Sequence, residues 1–423
     1  MKEPEWKSKK IAFFGHFDST NFGNESTLQA ILYHLRRFQP DAKVICICTG
    51  PEATAATYHI EAIPCVTPVA HPSSETSVKS WAHRNPVTRV IRRVCIGLAN
   101  EAYRWIKCFI TLRRIDMLII PGTGLLTDAY SLWGWGPYNL LKWSLIGKVC
   151  RCKVLFISVG AGPIYGMLGR CFVKAMLSLA DFRSYRDNST MQYLKGIGFH
   201  ADNDPVYPDL VFSLPETVIP HQGTKKSCRP VVGLGVMEYV GKYSVARPTD
   251  MIYMAYLENL VTIAGWLLAR GYDIRLLSGD VVGDMHARQK FRDLLRERLS
   301  VSDDEHIIDE PIGSVEELLS QIVATDIVVA TRFHNVLLSL LCNKPVISIS
   351  FHHKCDSLMS AMGLSEYCLD INDLKADRLI EKFRDLETNA DKLKPLIGER
   401  AREFREALDK QYKLIFNDMA RGI

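Results

Sequence analysis

Cationic and titratable side chains follow directly after two short apolar runs in the last third of the chain. Arg332 and His334 follow the run Ile327–Ala330, and His352, His353 and Lys354 follow the run Val346–Ser350. An arginine holds phosphate or carboxylate groups through paired hydrogen bonds, and a histidine exchanges protons near neutral pH. The pattern predicts an anionic substrate handled by acid–base catalysis, with His334 and Arg332 as catalytic residues and the other three as substrate-binding residues.

These side chains also have structural interpretations. Arg332 could equally form an ion pair with a carboxylate such as Asp326 or Asp309, and a single histidine is often a structural residue. Arg186, in the stretch SYRDNS, is a further candidate for binding the anion. An Arg-Asp dipeptide is also typical of a local ion pair or a helix cap, so both interpretations stay open.

The elements that must position these residues alternate between strands and helices. Apolar runs predict strands at 11–17, 44–48, 117–120, 154–159, 231–236, 274–277, 327–330 and 346–350. Apolar residues at helical spacing predict helices at 27–38, 251–269 and 286–299. Alternation of this kind, with strands apolar on both faces, is typical of parallel sheets covered by helices on both sides.

The predicted fold class is α/β, with two Rossmann-like parallel-sheet domains that face a cleft. A stretch at 214–230 is rich in Pro, Gly and Lys and lacks periodicity, which places the boundary there. The predicted domains are 1–220, 221–390 and a C-terminal helix pair at 391–423. Open parallel sheets bind ligands beyond the carboxyl ends of their strands, which is where the cationic residues fall.

Turns after the other strands supply further candidate substrate-binding residues. Glycine at such a turn allows close approach of a ligand to backbone amides, and a following helix offers unpaired N–H groups. The candidates are His16, Asn21, Gly23 and Asn24 after the first strand, Thr123 and Gly124 after the third, Gly160 and Gly162 after the fourth, and Gly235 in the fifth.

Composition excludes several classes of protein. The 423 residues are 47% hydrophobic and 23% charged, which is ordinary for a globular enzyme of two or three domains. Residues 1–215 carry 25 Lys or Arg against 16 Asp or Glu, whereas the remainder carries 27 against 31. No nucleic-acid motif accompanies the basic half, so we expect a phosphorylated substrate or an anionic membrane surface and no nucleic acid.

Targeting and metal signals are also lacking in the sequence. The start MKEPEWKSKK is not a signal peptide, and no apolar run reaches the length of a membrane span. The twelve cysteines include two C-x-C pairs without further ligands at zinc-like spacing, so we expect reduced thiols and no metal. These features indicate a cytoplasmic protein.

The stretch 89–110 has an apolar stripe at helical spacing, formed by Ile91, Cys95, Leu98, Ala102, Trp105 and Phe109. Basic residues accompany it, and Glu101 is the single acid between Lys79 and Arg114. Two interpretations are open. The stripe is either the packed face of a surface helix, or part of a basic amphipathic helix at an anionic membrane.

Several motifs along the chain resemble the polysaccharide pyruvyl transferase family. They are NFGNE after the first strand, LLTD, SVGAGPI, SYRDNST with YLKGIGF, YPDLVF and, most specific, RFHNVLLSLLCNKPVISIS. The resemblance implies a two-lobed fold similar to GT-B glycosyltransferases. It also implies that phosphoenolpyruvate is the donor and that its pyruvyl group forms a cyclic ketal with two sugar hydroxyls, releasing phosphate.

The resemblance further implies a location and a set of partners. The acceptor would be a sugar of a polysaccharide or of a lipid-linked oligosaccharide precursor in cell-envelope or exopolysaccharide synthesis, with no cofactor. The enzyme would be cytoplasmic, with the inner face of the plasma membrane as a site of peripheral contact. Phosphoenolpyruvate would bind the C-terminal domain and the acceptor the N-terminal one. A nucleotide-sugar glycosyltransferase and a non-catalytic assembly subunit of the same fold are the alternatives.

Overall fold

The structure of the protein is a computed structural model that describes residues 9–18, 20–66, 86–128, 135–220, 229–239, 249–298 and 305–419. Part of the predicted boundary at 214–230, residues 221–228, lies outside the described residues. So do the side chains of 86–94, which include Ile91 of the apolar stripe.

The first sheet has six strands in the order β3-β2-β1-β4-β5-β6, and its strand pairs with known register are parallel. Its strands are β1 (Lys10–Gly15), β2 (Lys43–Cys48), β3 (Glu61–Pro64), β4 (Met117–Pro121), β5 (Lys153–Val159) and β6 (Phe182–Tyr185). The four central strands are mostly buried apolar runs, as a sheet covered on both faces requires. The strand order reverses between β1 and β4.

The second sheet repeats this order as β12-β11-β10-β7-β8-β9, again with parallel pairing. Its strands are β7 (Val231–Gly235), β8 (Asp273–Leu277), β9 (Ile307–Ile308), β10 (Ile327–Ala330), β11 (Val346–Ser350) and β12 (Cys368–Asp370). Its order reverses between β7 and β10. Both sheets therefore have the Rossmann strand order, and the prediction of an α/β fold with two Rossmann-like parallel sheets is confirmed.

Helices connect the strands and cover the sheets. In the first half they are α1 (Phe22–Phe38), α2 (Pro51–Tyr58), α3 (Pro86–Leu112), α4 (Trp135–Val149), α5 (Met167–Leu179) and α6 (Asn188–Gly196). In the second half they are α7 (Thr249–Ala269), α8 (Met285–Arg298), α9 (Val315–Val323), α10 (Phe333–Leu341), α11 (His353–Ala361) and α12 (Ala376–Lys413). Polar side chains cap several starts, including Asn21 at α1, Asp187 at α6 and Ser314 at α9.

All eight predicted strands are present, and the four that the sequence did not predict are the sheet edges. These edges are β3 and β6 in the first sheet and β9 and β12 in the second. They are two to four residues long and are flanked on one side only. An edge strand has less surface to bury, so it lacks the long apolar run on which the prediction depended.

The chain divides into two compact units. The first comprises the described residues of Met1–Asp18, Asp41–Ile157 and Ala161–Arg183, and the second those of Ser19–Pro40, Ser158–Gly160 and Ser184–Ile423. The second unit therefore includes α1 and the stretch 184–220, which differs from a simple boundary near 220. The chain enters the second unit three times, so no single linker in the sequence marks the boundary between the units.

The C-terminal helix pair predicted at 391–423 is replaced by one long helix, α12, which begins already at Ala376. Its buried residues include Leu379, Phe383, Leu386 and Ile397, which recur at helical spacing. One continuous apolar stripe therefore packs on the second unit, and the helix continues through Pro395.

Within the described ranges, eleven cysteines form no disulfide with one another, and burial raises the pKa of the Cys152 thiol to about 12. In the same part of the chain, α7 is the one helix whose length and apolar composition would suit a membrane crossing, over Met251–Ala269. More than half of that stretch is buried within the protein, which is typical of a core helix.

Candidate functional site

The site in the second unit lies beyond the carboxyl end of β10, beside the point where the strand order reverses. Arg332 is the N-cap of α10, which therefore begins at the strand end with Phe333 and His334 in its first turn. The first N–H groups of a helix have no partner within the helix and attract anions. The fold thus directs the start of α10 to the position that open parallel sheets use for ligands.

Arg186 lies in the interior of this unit, with only 7% of its surface exposed. Its Nη1 donates to Oδ2 of Asp209 at 3.1 Å, and its guanidinium carbon lies 4.7 Å from the ring centre of Phe333. The Nε and Nη2 atoms are buried and have no hydrogen-bond partner among the described residues. Oδ2 of Asp187 lies 3.6 Å from Nε, which is beyond hydrogen-bond distance. The N–H groups of two nitrogens of a held guanidinium are thus left for a ligand, and the fork matches a carboxylate or phosphate.

Gly160 allows this arginine to take its position. A Cβ at residue 160 would lie 2.6 Å from Nη2 of Arg186, which is too close for any side chain. Gly160 therefore has a structural role, because it leaves room for the guanidinium. Its direct contact with a ligand stays a prediction.

His334 packs its ring against the start of α1. A Cβ at Gly23 would lie 1.9 Å from Nδ1 of His334, so glycine is required there, and Phe333 contacts the ring edge-on at 5.0 Å between centroids. Removal of the ring from water lowers the pKa of His334 to about 4. The Asp209 carboxylate opposes this shift, whereas the charges of Arg186, Lys354 and Arg332 add to it. The imidazole is thus neutral at pH 7 in this structure.

The second cationic group follows β11 at the start of α11. His352 is the N-cap, and its Nδ1 accepts a hydrogen bond from the backbone N–H of Lys354 at 3.2 Å. Burial lowers the pKa of His352 to about 2, so this histidine is a neutral cap. The His353 ring contacts the His352 ring in a tilted arrangement, with 4.0 Å between ring centroids, and its buried Nε2 has no hydrogen-bond partner among the described residues.

Lys354 lies in the same surroundings as Arg186. Burial lowers the pKa of Lys354 to about 8, and the positive charge of Arg186 contributes to the same shift. Both residues line a cavity of 440 Å³ together with Tyr207, Asp209, Phe333 and Ser357. Two cations that repel one another at the wall of a cavity indicate a place where an anion would be stabilised.

Arg332 pairs with a carboxylate other than the two expected from sequence. Its Nε lies 2.8 Å from Oδ2 of Asp284 and its Nη2 lies 2.5 Å from Oδ1, while Asp280 lies at 3.6 Å. Asp326 and Asp309, the partners considered from sequence, bind the backbone of Val231 and the side chains of Arg288 and Arg292 instead. The pair of Arg332 with the fully buried Asp284 is bidentate. A substrate that bound the same guanidinium fork would therefore have to share or replace the Asp284 carboxylate.

This pairing gives a stability prediction for Arg332. We expect Arg332→Gln to lower the free energy of unfolding by about 3 kcal/mol, because it leaves the Asp284 carboxylate buried without its counter-ion. Asp284→Asn in the same chain should recover most of that loss, since the uncompensated charge is then gone. Urea unfolding of the two single variants and the double variant measures the coupling. Additive losses would show that the pair is not what holds Arg332.

The turn before α1 is chiefly structural. Asn21 caps α1 by accepting from the backbone N–H groups of Gly23 and Asn24, and its side-chain amide contacts Asp280. The predicted substrate-binding residues Asn21 and Asn24 therefore already have roles in forming the helix start. Gly23 matters through the space that it leaves for His334.

Gly235 ends β7 inside the second unit. A Cβ there would lie 3.0 Å from the side-chain amide of the buried Asn335, so its absence makes room for that side chain. The structure thus relates Gly235 to packing beneath the start of α10, and its predicted contact with a ligand stays a prediction.

The remaining candidates lie in the first unit. His16 follows β1 and is exposed, Thr123 is buried and hydrogen-bonds to Pro121, and Gly124 is exposed. Gly162 follows β5 with a φ of 88°, a conformation that favours glycine. These residues are all at carboxyl ends of strands of their own sheet, and their role in binding the acceptor stays a prediction.

Sequence reasoning missed three residues that shape the site: Asp209, Phe333 and Asp284. Asp209 lies in YPDLVF and Phe333 in RFHN, so both belong to motifs that carry the family resemblance. Both act through Arg186: the Asp209 carboxylate accepts a hydrogen bond from its guanidinium, and the Phe333 ring packs beneath that group. Asp284 lies in a loop without a motif, and only the fold reveals its pairing with Arg332. Among the described residues, no three His, Cys, Asp or Glu side chains are grouped as a metal would require.

Comparisons with known proteins agree with this architecture. The family model "Polysaccharide pyruvyl transferase" matches residues 21–353, which include every residue of the site in the second unit except Lys354. A glycosyltransferase from Rickettsia africae has a similar fold, with a TM-score of 0.56 at 12% identity over 99% of this chain and 100% of its own.

Two further solved structures are similar in fold. Anabaena HepE, solved in complex with UDP and glucose, gives a TM-score of 0.56 at 11% identity over 95% of this chain and 99% of its own. MnaA from S. aureus, solved with UDP, gives 0.58 at 11% identity over 97% of each chain. At such identities the likeness shows the GT-B type of fold alone.

Proposed function

The chain belongs to the polysaccharide pyruvyl transferase family and is an enzyme of that kind, and from this premise we propose that it transfers the pyruvyl group of phosphoenolpyruvate to a sugar. The observation that carries the donor assignment is the grouping of Arg186, Lys354 and His334 in one unit. Phosphoenolpyruvate bears about three negative charges on a three-carbon frame, and such a ligand needs held cations.

Arg186 is the principal donor ligand in this proposal. Its Nε and Nη2 donate to the phosphate or the carboxylate, while Asp209 and Phe333 fix the guanidinium plane. Lys354 adds a point charge, and the N–H groups at the start of α10 add donors. Arg332 holds the start of α10 through Asp284 and contributes its positive charge to the donor site.

His334 moves the protons. The methylene carbon of phosphoenolpyruvate gains a proton and becomes a methyl group, which leaves a cationic centre at C2 that one sugar hydroxyl attacks with loss of its proton. The second hydroxyl then attacks C2 and loses its proton as the C–O bond to phosphate breaks. Phosphate leaves with the bonding pair and takes up that proton. The products are the cyclic ketal and inorganic phosphate.

The neutral state of His334 fits one half of this cycle directly. A neutral imidazole accepts the proton of an attacking hydroxyl, whereas protonation of the methylene carbon needs an imidazolium. The charges of Arg186, Lys354 and Arg332 contribute to keeping the ring neutral in the ligand-free chain. A bound trianion offsets those charges, so donor binding favours uptake of the proton that the first step uses.

The acceptor in this proposal is a sugar of a polysaccharide or of a lipid-linked oligosaccharide precursor, with two hydroxyls close enough to form one ring. No cofactor takes part, since the donor carries the leaving group itself. We place the reaction in the cytoplasm, with peripheral contact at the inner face of the plasma membrane for a lipid-linked acceptor.

Ligand-induced stabilisation tests the donor assignment. We expect phosphoenolpyruvate to raise the melting temperature, because a ligand at a hundredfold excess over its dissociation constant stabilises the native state by about 2.7 kcal/mol. UDP- and GDP-sugars at the same concentration should have no effect. Stabilisation by a nucleotide sugar but not by phosphoenolpyruvate would favour the glycosyltransferase alternative. The similar solved structures share the fold with this chain and do not by themselves support that alternative.

Phosphate release separates the enzyme from a non-catalytic subunit. Purified protein with phosphoenolpyruvate and a panel of diol-bearing sugar acceptors should release phosphate only when a suitable acceptor is present. Donor binding without turnover on any polysaccharide or lipid-linked acceptor would favour an assembly role.

A further inference from the structure

We propose that the exposed apolar face of α3 docks onto an anionic membrane surface, with the helix lying in the plane of the interface. The proposal extends the proposed function toward a lipid-linked acceptor. Membrane docking can be tested separately from pyruvyl transfer, because the binding experiment contains neither phosphoenolpyruvate nor an acceptor sugar.

The face is apolar and exposed over about four turns. Exposed fractions are 67% for Leu98, 56% for Ile106, 46% for Ile110, 43% for Phe109 and 42% for Tyr103. At 100° per residue these positions, with Ile96 at 43%, fall within roughly 160° of the helix circumference. A contiguous apolar surface of this kind is unusual for a soluble protein and marks an interaction site.

This arrangement corrects one sequence expectation about the stripe. If the stripe were the packed face of a surface helix, Leu98, Ala102 and Phe109 would be buried, but they are exposed. The side that packs is formed by Cys108 and Leu112, which are buried. The apolar arc of α3 extends over more than half of the helix circumference, so periodicity alone could not say which part of that arc faced the protein.

Charge on α3 is arranged for an anionic partner. Glu101 is the single acid among the described residues of the helix, and it is engaged on the packed side by Lys142 at 2.8 Å and Arg104 at 3.2 Å. The Tyr138 hydroxyl also donates to it at 2.9 Å. These contacts hold the pKa of the Glu101 carboxyl below its usual value against the opposing effect of burial. The acid is therefore drawn away from the exposed face.

Cations remain along the exposed side. Lys107, Arg113 and Arg114 are exposed at and beyond the C-terminal half of α3. Basic residues beside an apolar helical face suit a bilayer with anionic headgroups, since the side chains bind phosphate while the apolar face enters the acyl boundary. The same charges disfavour a second copy of this chain, because a two-fold contact through this face would bring like charges together.

Vesicle binding of the full chain tests the proposal. We expect co-sedimentation with vesicles of phosphatidylcholine and about 30% phosphatidylglycerol, and much weaker binding to phosphatidylcholine alone. Lys107→Gln with Arg113→Gln and Arg114→Gln should weaken anionic binding about a hundredfold, at about 1 kcal/mol for each charge. Leu98→Gln with Ile106→Gln and Phe109→Gln should abolish it, since the apolar anchor is lost.

A matched control removes exposed apolar side chains elsewhere. Met251 and Met285 are 64% and 68% exposed and lie in the second unit, so Met251→Gln with Met285→Gln should bind vesicles as the parent does. An unchanged circular dichroism spectrum and melting temperature without any ligand show that each variant is folded. Equal binding to both vesicle types, or to neither, overturns the proposal. So does a parent dimer that becomes monomeric when the α3 face is changed, which would assign the face to a second copy.

Discussion

His334→Asn is expected to lower turnover at least about a hundredfold while leaving the dissociation constant for phosphoenolpyruvate nearly unchanged. Asparagine retains a hydrogen-bonding side chain near the position of Nδ1 but cannot exchange a proton near neutral pH. A side chain that acts only in the transition state lowers kcat without weakening ground-state binding. Steady-state phosphate release and direct titration of the donor separate the two quantities.

A second measurement on the same variant examines the proton itself. If the bound trianion draws a proton onto His334, donor binding to the parent enzyme at pH 7 consumes protons. Calorimetric titration in buffers of different ionisation enthalpy reports that uptake. We expect the uptake to disappear in His334→Asn and to persist in His200→Asn, whose histidine is exposed and distant in sequence from His334.

Near-normal turnover of His334→Asn would transfer the acid–base role to another residue. His353 would then be the first alternative, since its buried Nε2 has no hydrogen-bond partner among the described residues. His352 is a poorer one, because its Nδ1 already accepts the N–H of Lys354. His16 lies in the first unit and would require a different assignment of the chemistry.

Arg186→Lys is expected to weaken phosphoenolpyruvate binding at least about a hundredfold, with a smaller effect on turnover at saturating donor. The lysine keeps a positive charge near Asp209 but loses the planar fork and two charged hydrogen bonds, each worth about 1.5 to 3 kcal/mol. It also loses the stacking on Phe333, where the guanidinium carbon lies 4.7 Å from the ring centre. Isothermal titration of the donor measures the loss.

Arg183→Lys is the matched control for this variant. Arg183 precedes Arg186 by three residues in the chain and donates to the carbonyl of Leu177 in the first unit. The same chemical change there should leave donor binding as in the parent enzyme. If Arg186→Lys binds phosphoenolpyruvate normally while its stability falls, Arg186 is a structural partner of Asp209 and the donor site lies elsewhere.

The two arginines illustrate how pairing geometry decides between similar residues. From sequence, Arg332 was the stronger candidate for the donor, because it follows a strand within the most specific motif. In the structure Nε and Nη2 of Arg332 both donate to the Asp284 carboxylate. The same two atoms of Arg186 have no hydrogen-bond partner among the described residues. Burying an arginine without satisfying its donors is costly, so Arg186 is the better candidate to gain a ligand.

The sequence by itself determined the class of the fold, the central strands of both sheets and the family. Strands buried on both faces need unbroken apolar runs, and this requirement is local, so Ile327–Ala330 and Val346–Ser350 could be predicted without knowledge of their neighbours. The cationic residues after them could be placed at a ligand-binding edge because parallel strands all end on the same side.

Only the tertiary structure decided which of these residues are paired and which face of a helix is exposed. Asp284 and Asp209 reach their arginines from 48 and 23 residues away, and no local pattern encodes such a contact. The exposed face of α3 was undetermined for a related reason: a helix that is apolar on most of its circumference satisfies the same periodicity whichever side is covered. Burial and ion pairing are properties of neighbours brought together by the whole chain, so they are fixed only when the chain has folded.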